Sequence, residues 1–535
     1  MDRLQQAIAF QKEGKLSEAI ALYRAILADQ PRQPDVLHLM GTLAQQLGNS
    51  ELALKLIEAS LAINNSFAPA WLNRALILRL LNRKQEALES ALQALELDPN
   101  LADAWDFSGN LLRQLKRYSE SQKHHTQALA LCPDHPSFRS NYAALLLAIG
   151  DVEGAYKLVA NQDVPGVPPV QEGAIVLGNI WQAAGYPEKA IAYYSELYKH
   201  RPYLSGVRIN EAYENLKIGN FDRGWSLFQT RPDGYEKYFE HLPKWKGETI
   251  DHLILYEDQG IGDALFSLRY LPMVQARVDH ITVFLMNDAL AQLITTSFPH
   301  ISVIIHDQPV PAATARCPMM TLPCIFNTHF DTIPSTFPYL KISADNACLW
   351  EERLKSVLRP RIGIVWGGNP NLPTDCNRSL HFDQLAPLFR AAPGHFVSLQ
   401  KGIQKEQADF TKAHLVDADP WLDNFASTAC LMQHLDLIIT VDTSVAHLAG
   451  GLHIPVWIFL LFDPDWRWML DREDSPWYPT LRLFRQTKPA HWTDVIDRMA
   501  LELKKYMDGN REVLTPTLWT SVPAKQNKHA LKLVE

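Results

Sequence analysis

The stretch TVDTSVAHLAGGLHIPVWIF, residues 440–459, combines a strand, a polar turn and a helix within one short segment. It begins as an apolar strand, turns through Asp442, Thr443 and Ser444, and continues as a helix of small residues that contains His447. The N–H groups at a helix start carry partial positive charge and can hold an anion. A capped helix with a core histidine is the other interpretation, and the rest of the chain decides between them.

The composition is typical of a soluble globular protein. The chain has 535 residues, 47% of them hydrophobic and 21% charged, which is long enough for more than one domain. A net charge of −8 argues against a general binder of nucleic acids or membrane surfaces. The N-terminus lacks the features of a signal peptide, and no apolar run approaches the ~20 residues that span a bilayer. Six scattered cysteines without a CxxC pair favour a reducing cytoplasm and predict neither disulfides nor a zinc site.

The first 232 residues repeat with a period of 34. The period is carried by one column of small residues and one of prolines, which are Ala19, Ala53, Ala87 and Ser121, and Pro31, Pro99 and Pro133. Small residues let two helices approach closely, and the proline ends the second helix. The pattern, for example AWLNRALILRLLNRKQEALESALQALELDP at 70–99, resembles the tetratricopeptide repeat (TPR) family. We therefore expect a solenoid of about seven helical hairpins that binds a protein or peptide in its groove.

Three asparagines occupy one column of this repeat, at Asn73, Asn141 and Asn210. They are predicted to lie on the helix face that lines the groove. An amide side chain both donates and accepts hydrogen bonds, so it can hold a peptide backbone of any sequence. With asparagines placed along its groove, the array is similar to that of the O-linked N-acetylglucosamine transferase. The alternative is a solvated polar face without a function.

The second half alternates apolar strands with helices, which predicts parallel sheets covered by helices on both faces. The predicted strands lie at 252–256, 280–285, 301–307, 361–368, 395–402, 435–442, 455–460 and 480–486, and the predicted helices at 263–275, 382–391, 423–434, 444–452 and 491–507. We expect two Rossmann-like α/β lobes in series after the helical solenoid. The predicted domains are the solenoid at 1–232, a connector at 233–251, the lobes at 252–350 and 351–507, and a flexible tail at 508–535.

Polar residues follow several predicted strands, where ligands of such sheets bind. In YEDQGIGDALF, Gly260 and Gly262 permit a tight loop, and Asp263 falls at the start of a helix. Its role there is either catalytic or that of a helix cap. Glu257 and Asp258 are the neighbouring carboxylates that could take the catalytic role instead.

The second such segment is VWGGNPNLPTDCNRSLHFDQL, residues 365–385. Gly367, Gly368 and Asn369 predict a flexible turn after a strand, and Arg378 follows. The planar fork of an arginine can engage two oxygens of a diphosphate, although a solvated loop arginine is the plainer alternative. Lys401 is a second cation at a strand end.

In this order, GIGD, VWGGNP, RSL, SLQKG and DTSVAHLAGGLHIPVW resemble the heptosyltransferase-type glycosyltransferases with a GT-B fold. FDRGWSLFQTR and LPKWKGE, residues 221–231 and 242–248, are typical of the TPR-linked subgroup of these enzymes. The resemblance implies that Asp263 is the general base for the acceptor hydroxyl. It also implies that Asp442, Thr443, Ser444 and His447 hold the diphosphate of a nucleotide sugar, with the first lobe on the acceptor side. The family has a lysine where this chain has Arg378.

The resemblance implies an inverting transfer without a metal or other cofactor, with the nucleotide sugar as co-substrate. The Trp-rich loop FDPDWRWMLDREDSPWYP, residues 462–479, is expected to wall the donor pocket and stack on the base. A protein acceptor held by the repeats, such as a flagellin with a Ser or Thr target, is the leading hypothesis. A lipopolysaccharide or glycan precursor is a second acceptor, and a non-catalytic scaffold is a third interpretation. The sequence does not identify the sugar or its nucleotide.

Overall fold

A computed structural model describes residues 3–160, 174–342, 347–370, 372, 375–411, 413–516 and 528–533. Fourteen helices lie in the described part of residues 3–228: α1 (Arg3–Lys12), α2 (Leu16–Asp29), α3 (Pro34–Gln46), α4 (Ser50–Ile63), α5 (Ala68–Leu80), α6 (Lys84–Leu97), α7 (Ala102–Gln114), α8 (Tyr118–Leu131), α9 (Pro136–Ala148), α10 (Val152–Val159), α11 (Ala174–Ala183), α12 (Pro187–His200), α13 (Ser205–Lys217) and α14 (Phe221–Phe228).

The column of small residues lies where neighbouring helices cross. Ala19, Ala53 and Ala87 are fully buried. A Cβ atom added to Gly41 would lie 2.7 Å from the side chain of Ile57, so α3 and α4 pack at a distance that only glycine allows. The small residues of the repeat therefore set the spacing of the helices.

The chain divides into two compact units. One runs to Val176, apart from 150–152 and 165–168, and the other consists of Leu177–Glu535 together with those residues. Helices α12 to α14 and most of α11 thus belong to the same unit as the sheets, whereas the sequence predicts one solenoid up to residue 232. The helices in the described ranges are all too short or too polar to cross a lipid bilayer.

The first sheet has four parallel strands in the order β3-β2-β1-β4. Its strands are β1 (Ile250–Tyr256), β2 (Val278–Leu285), β3 (Ser302–Ile305) and β4 (Ala315–Pro318), and its helices are α15 (Ile261–Ser267), α16 (Leu271–Gln275), α17 (Ala291–Ser297) and α18 (Leu322–Ile325). The single helix predicted at 263–275 is interrupted by a 3-10 turn at Leu268–Tyr270, and Pro272 lies at the start of α16.

The second sheet has six parallel strands in the order β10-β9-β8-β5-β6-β7. Its strands are β5 (Ile362–Val365), β6 (Phe396–Ser398), β7 (Val416–Asp417), β8 (Leu437–Val441), β9 (Val456–Leu460) and β10 (Leu481–Arg485). Its helices are α19 (Ala347–Arg353), α20 (Asp375–Arg378), α21 (Ala386–Ala391), α22 (Phe425–Met432), α23 (Ser444–Gly451) and α24 (Thr493–Met507). Every residue of β5, β8 and β9 is buried, as expected of central strands covered on both faces.

Two segments predicted to be polar connections are packed against the sheets. In the connector, the N–H of Trp245 donates to Arg316 O at 2.8 Å, and the N–H of Arg316 donates to Pro243 O at 2.9 Å. The connector therefore extends the edge of the first sheet beside β4. At the start of the predicted tail, Val513 is buried and its carbonyl accepts a hydrogen bond from Arg482. Residues 517–527 of this tail lie outside the described residues.

Candidate functional site

A cavity of about 770 Å³ lies at the carboxyl ends of strands from both sheets. Its walls include residues that directly follow β1, β2 and β8, namely Glu257, Met286 and Asp442. All twelve residues predicted for the loop, the base and the diphosphate site line this one cavity: Gly260, Gly262, Asp263, Gly367, Gly368, Asn369, Arg378, Lys401, Asp442, Thr443, Ser444 and His447. They come from segments up to 187 residues apart in the chain, the span from Gly260 to His447. Their individual roles stay predictions.

The start of α23 faces this cavity without a side-chain cap. Thr443 is the N-cap residue, in extended conformation, and its side chain accepts no hydrogen bond from the first turn of the helix. Its hydroxyl instead lies 3.2 Å from the hydroxyl of Thr440. Ser444 and Val445, the first two residues of the helix, line the cavity. A helix start in this state can bind an anion with its N–H groups and its dipole.

His447 is fixed inside the same helix. The ring is 6% exposed, stacks on Trp468 at a centroid distance of 5.5 Å, and places Nδ1 2.8 Å from the hydroxyl of Tyr478. Burial lowers the pKa of His447 well below its usual range, and the nearby Arg467 lowers it further. The ring is therefore neutral at physiological pH, so it contributes no positive charge to an anion site.

Gly262 makes the close approach between α15 and α23 possible. A Cβ atom added to Gly262 would lie 2.9 Å from Cδ2 of His447 and 3.5 Å from Cα of Ser444. A contact of 2.9 Å is shorter than real Cβ contacts, so a side chain at this position would push the two helices apart. The glycine loop before α15 thus packs directly on the open start of α23.

Arg378 is held beside that helix start and is not a solvated loop residue. Its Nε donates to Asp375 Oδ1 at 3.1 Å, and its Nη1 donates to the backbone carbonyl of Asp442 at 3.0 Å. The side chain is 19% exposed and lines the cavity. The guanidinium is therefore oriented before any ligand binds. Gly368 leaves the space for it, because an added Cβ there would lie 2.5 Å from Nη2.

The backbone N–H groups of the two glycines after β5 already donate to protein acceptors, so these glycines serve the packing of the loop and not the binding of an anion. The N–H of Gly367 donates to Gln400 Oε1 at 2.8 Å, and the N–H of Gly368 donates to Ser379 Oγ at 2.9 Å. Lys401 lies at the rim of the cavity with its side chain 55% exposed, and its ammonium contacts the carbonyl of Leu422. The charged candidates for diphosphate contact on this side are thus Arg378 and Lys401, and Asn369 also lines the cavity.

Both carboxylate oxygens of Asp263 have partners in this structure. Oδ2 accepts the N–H of Gly260 at 2.9 Å, so the side chain of Asp263 caps a backbone N–H at the start of α15. Oδ1 forms an ion pair with Arg467. The capping role considered from the sequence is therefore present, and the carboxylate still faces the cavity with 23% of its side chain exposed.

Arg467 is a cavity residue that sequence reasoning missed. It is buried between two carboxylates, pairing with Asp263 and, at 3.0 Å, with Asp465. Burial lowers the pKa of Arg467, but these two acids outweigh it and hold the pKa above its usual value. The expectation for the Trp-rich loop is thus wrong in part. Asp465 and Arg467 wall the cavity, whereas Trp466 and Trp468 are 2% and 0% exposed and pack in the core, where they cannot stack on a ligand.

A second carboxylate, Glu257, lines the cavity on the side of the first sheet. It is 8% exposed, and its Oε1 accepts the N–H of Met286 at 2.6 Å. Burial raises the pKa of Glu257 above its usual value, which makes it a stronger proton acceptor once ionised. The other neighbour, Asp258, is buried in an ion pair with Arg231.

The site also contains an acid with a shifted pKa at the start of α23. Burial, and to a smaller extent the carboxylate of Asp465, raise the pKa of Asp442 to about 6. Its charge therefore changes close to physiological pH, next to the place where an anion would bind. Among the described residues, no group of three or more His, Cys, Asp and Glu side chains is placed to hold a metal ion.

The three asparagines of the repeat column are each tied to the preceding repeat. The amide nitrogen of Asn73 lies 2.7 Å from His38 Nε2, and that of Asn141 donates to Asp106 Oδ2 at 2.7 Å. In the other compact unit, the amide nitrogen of Asn210 donates to Asn179 Oδ1 at 3.1 Å. These contacts fix the side chains, and their use in binding a peptide stays a prediction.

Comparison with known proteins identifies the helical part. A tetratricopeptide repeat family model matches residues 68–101, which contain α5 and α6. The chain carries tetratricopeptide repeats. Protein FlbA of Caulobacter vibrioides is 25% identical over 539 residues, a match that covers 94% of this chain and 83% of FlbA.

Similar solved structures include a tetratricopeptide repeat protein from Parabacteroides merdae. It is 17% identical, with a TM-score of 0.38, and the match covers 44% of this chain and 94% of that protein. PilW, a type IV pilus biogenesis factor, is 20% identical, with a TM-score of 0.34 and coverage of 38% and 93%.

Proposed function

We propose that this protein is a glycosyltransferase that moves a sugar from a nucleotide-sugar donor to a hydroxyl of a protein acceptor bound by its repeats. The observation that carries the proposal is the uncapped start of α23, which faces a cavity at the carboxyl ends of parallel strands with Arg378 beside it. Open helix starts at this position of parallel sheets are typical sites for phosphate groups. The resemblance of the motifs to GT-B glycosyltransferases supports the same function.

In the proposed reaction, the diphosphate of the donor lies on the start of α23. Negative charge develops on the leaving nucleoside diphosphate as the bond to the sugar breaks. The first N–H groups of α23, the hydroxyls of Thr443 and Ser444, and the guanidinium of Arg378 stabilise that charge. Because Arg378 is already oriented by Asp375 and a backbone carbonyl, little reorganisation accompanies the step.

A carboxylate takes the proton of the acceptor hydroxyl as that oxygen attacks the anomeric carbon from the opposite face, which inverts the configuration. Asp263 holds this role by family resemblance, and its ion pair with Arg467 must then loosen when substrates bind. Glu257 also lines the cavity, next to the end of β1, and has no arginine partner of this kind among the described residues. The two residues are therefore the candidates for the base.

The proposed acceptor is a peptide segment with a Ser or Thr hydroxyl, with flagellin the first protein to test, and the proposed location is the cytoplasm. The repeats support a protein partner, because solenoids of helical hairpins bind chains along their grooves. Asn73, Asn141 and Asn210 are the residues proposed to contact the backbone of the acceptor.

The first test is thermal unfolding of the full chain with ADP, UDP, GDP, TDP and CMP in separate samples. A nucleotide at 100 times its dissociation constant adds about 2.7 kcal/mol to the free energy of unfolding. We expect one nucleotide to stabilise the protein clearly, and its sugar derivatives are then tested for transfer to a candidate acceptor by intact-protein mass spectrometry. If none of the nucleotides stabilises the protein, the proposal loses its donor site and a scaffold function takes its place.

A further inference from the structure

A lysine is buried where the last helical hairpin, formed by α13 and α14, meets the Trp-rich loop at 462–479, which is called the cavity loop below. Lys217, the final residue of α13, is 2% exposed. Its ammonium pairs with Glu214 Oε1 at 2.6 Å and with the carboxylate of Asp463. Burial lowers the pKa of Lys217, but the two acids outweigh it, so the pKa lies above its usual value and the lysine stays charged. Buried ion pairs rarely add much stability, but they can specify a single arrangement of the groups around them.

Asp463 belongs to the loop that carries the cavity residues Asp465 and Arg467. It stands two residues before Asp465 and four before Arg467. The same hairpin also supports the loop from behind, since the ring of Trp225 in α14 meets that of Trp466 edge-on at 5.3 Å. The position of Arg467, and with it the ion pair to Asp263, therefore depends on where α13 and α14 hold this loop.

The same helix carries one of the groove asparagines. Asn210 precedes Lys217 by seven residues, which is two helical turns, so both side chains lie on one face of α13. The amide nitrogen of Asn210 donates to Asn179 Oδ1, which also accepts the hydroxyl of Tyr194 at 2.7 Å. One helix face thus joins a predicted peptide contact to the buried lysine behind the cavity loop.

We propose that Lys217 is a positioning residue for the site: it holds Asp463, and through the loop it fixes Arg467 against Asp263. The proposal rests on the proposed function only for its effect on turnover. By this proposal, the last helical hairpin has two roles: it is the last unit of the repeat array, and it supports the loop that carries Arg467. A peptide that contacts Asn210 would bind to the helix that sets the geometry of the site.

The structural test uses Asp463→Asn in the full chain. We expect this variant to fold, because Glu214 is left as a partner for the buried ammonium of Lys217. Glu502→Gln is the matched control. It removes the ion pair at 2.7 Å between Glu502 of α24 and Arg482 of β10, and neither residue lines the cavity. By hydrogen exchange, we expect amides at 463–470 and 257–263 to exchange about tenfold faster in Asp463→Asn and at the original rate in the control. Unchanged exchange in both loops of Asp463→Asn overturns the proposal.

The functional test measures turnover and nucleotide affinity separately. We expect Asp463→Asn to lower kcat about tenfold while the Kd of the nucleoside diphosphate stays the same, because Arg378 and α23 are held by other contacts. Lys217→Met should lower kcat to a similar extent, and combining the two changes should add little, because both act through one contact. Additive losses, or wild-type kcat in Asp463→Asn, overturn the proposal. If no acceptor is ever modified, the proposed function fails while hydrogen exchange still decides the role of Lys217.

Discussion

Replacing Arg378 by methionine should weaken the binding of nucleoside diphosphates and leave the binding of the bare nucleosides unchanged. Methionine keeps most of the length of the side chain but removes its charge and its donors. Two of the guanidinium nitrogens already serve the protein, with Nε on Asp375 and Nη1 on the carbonyl of Asp442. Nη2 has no hydrogen-bond partner among the described residues and lies beside Gly368 at the cavity wall. Nη2 is therefore the nitrogen that the structure leaves for a charge-assisted hydrogen bond to a diphosphate.

One charge-assisted hydrogen bond contributes about 1.5–3 kcal/mol. With a tenfold change in affinity for every 1.4 kcal/mol, the Kd of the diphosphate should rise roughly 10- to 150-fold. Arg378→Lys keeps the charge but not the fork geometry, so its loss should be smaller. Arg378→Met also leaves the buried carboxylate of Asp375 without its arginine partner. The free energy of unfolding of this variant should therefore fall as well.

Isothermal titration calorimetry with the diphosphate that stabilises the protein, and with its nucleoside, is the assay. Arg498→Met is the control, since Arg498 lies partly exposed on α24, pairs with Asp494 and is not part of the cavity wall. Wild-type affinity for the diphosphate in Arg378→Met would show that the anion does not lie beside this residue. An equal loss for the nucleoside would instead show a general disturbance of the pocket.

Three further predictions concern the same cavity. Asp442 has a pKa of about 6 and is ionised above that pH, where it repels a diphosphate, so affinity measured by calorimetry should rise as pH falls through 6. This rise should be smaller in Asp442→Asn. Because the nucleotide titrates equally in both experiments, the difference between the two proteins reports Asp442 alone. Asp263→Asn should lower transfer by about 100-fold or more with nucleotide binding intact. If Glu257→Gln alone has that effect, Glu257 is the base. Gly262→Ala places a methyl group 2.9 Å from His447 and should lower the free energy of unfolding by about 1–3 kcal/mol in urea titrations.

The sequence predicts the regular elements well because their signals are local. The 34-residue period comes from helix crossings that repeat along the chain, and each of the eight predicted strands overlaps a strand of the structure. Strand β4 escaped prediction because it is four residues long and contains Arg316, a residue typical of a surface loop. Arg316 can lie there because Glu236 and Asp233 neutralise it. These partners are brought together only by the tertiary fold.

Prediction of the site fails at the same kind of residue, one whose partners are brought together only by the tertiary fold. The residues at the ends of β5 and β8 could be predicted to meet, since the carboxyl ends of parallel strands share one edge of a sheet. The loop after β1 belongs to the other sheet, and it faces these residues across the cavity. Arg467 could not be predicted, because its ion pair with Asp263 forms where the loop after β9 packs against the start of α15, a contact that neither segment signals by itself. Its neighbours Trp466 and Trp468 also gave a misleading signal, since an aromatic run predicts a stacking surface as readily as it predicts a core. Part of the cover over Trp466 is Trp225 of α14, which comes from the other half of the sequence.

The division of the chain near Val176 has a consequence for how such proteins can diversify. Recombination that joins a new set of helical hairpins ahead of Leu177 keeps Lys217 and Trp225 in place behind the cavity loop. An exchange at residue 232 would instead remove Lys217 and Trp225 from behind that loop. Chimeras built at the earlier junction should thus keep the cavity and Asn210 of one parent and take the repeats that carry Asn73 and Asn141 from the other. The last two hairpins thus belong with the cavity in any such design, and the preceding ones are the part to exchange.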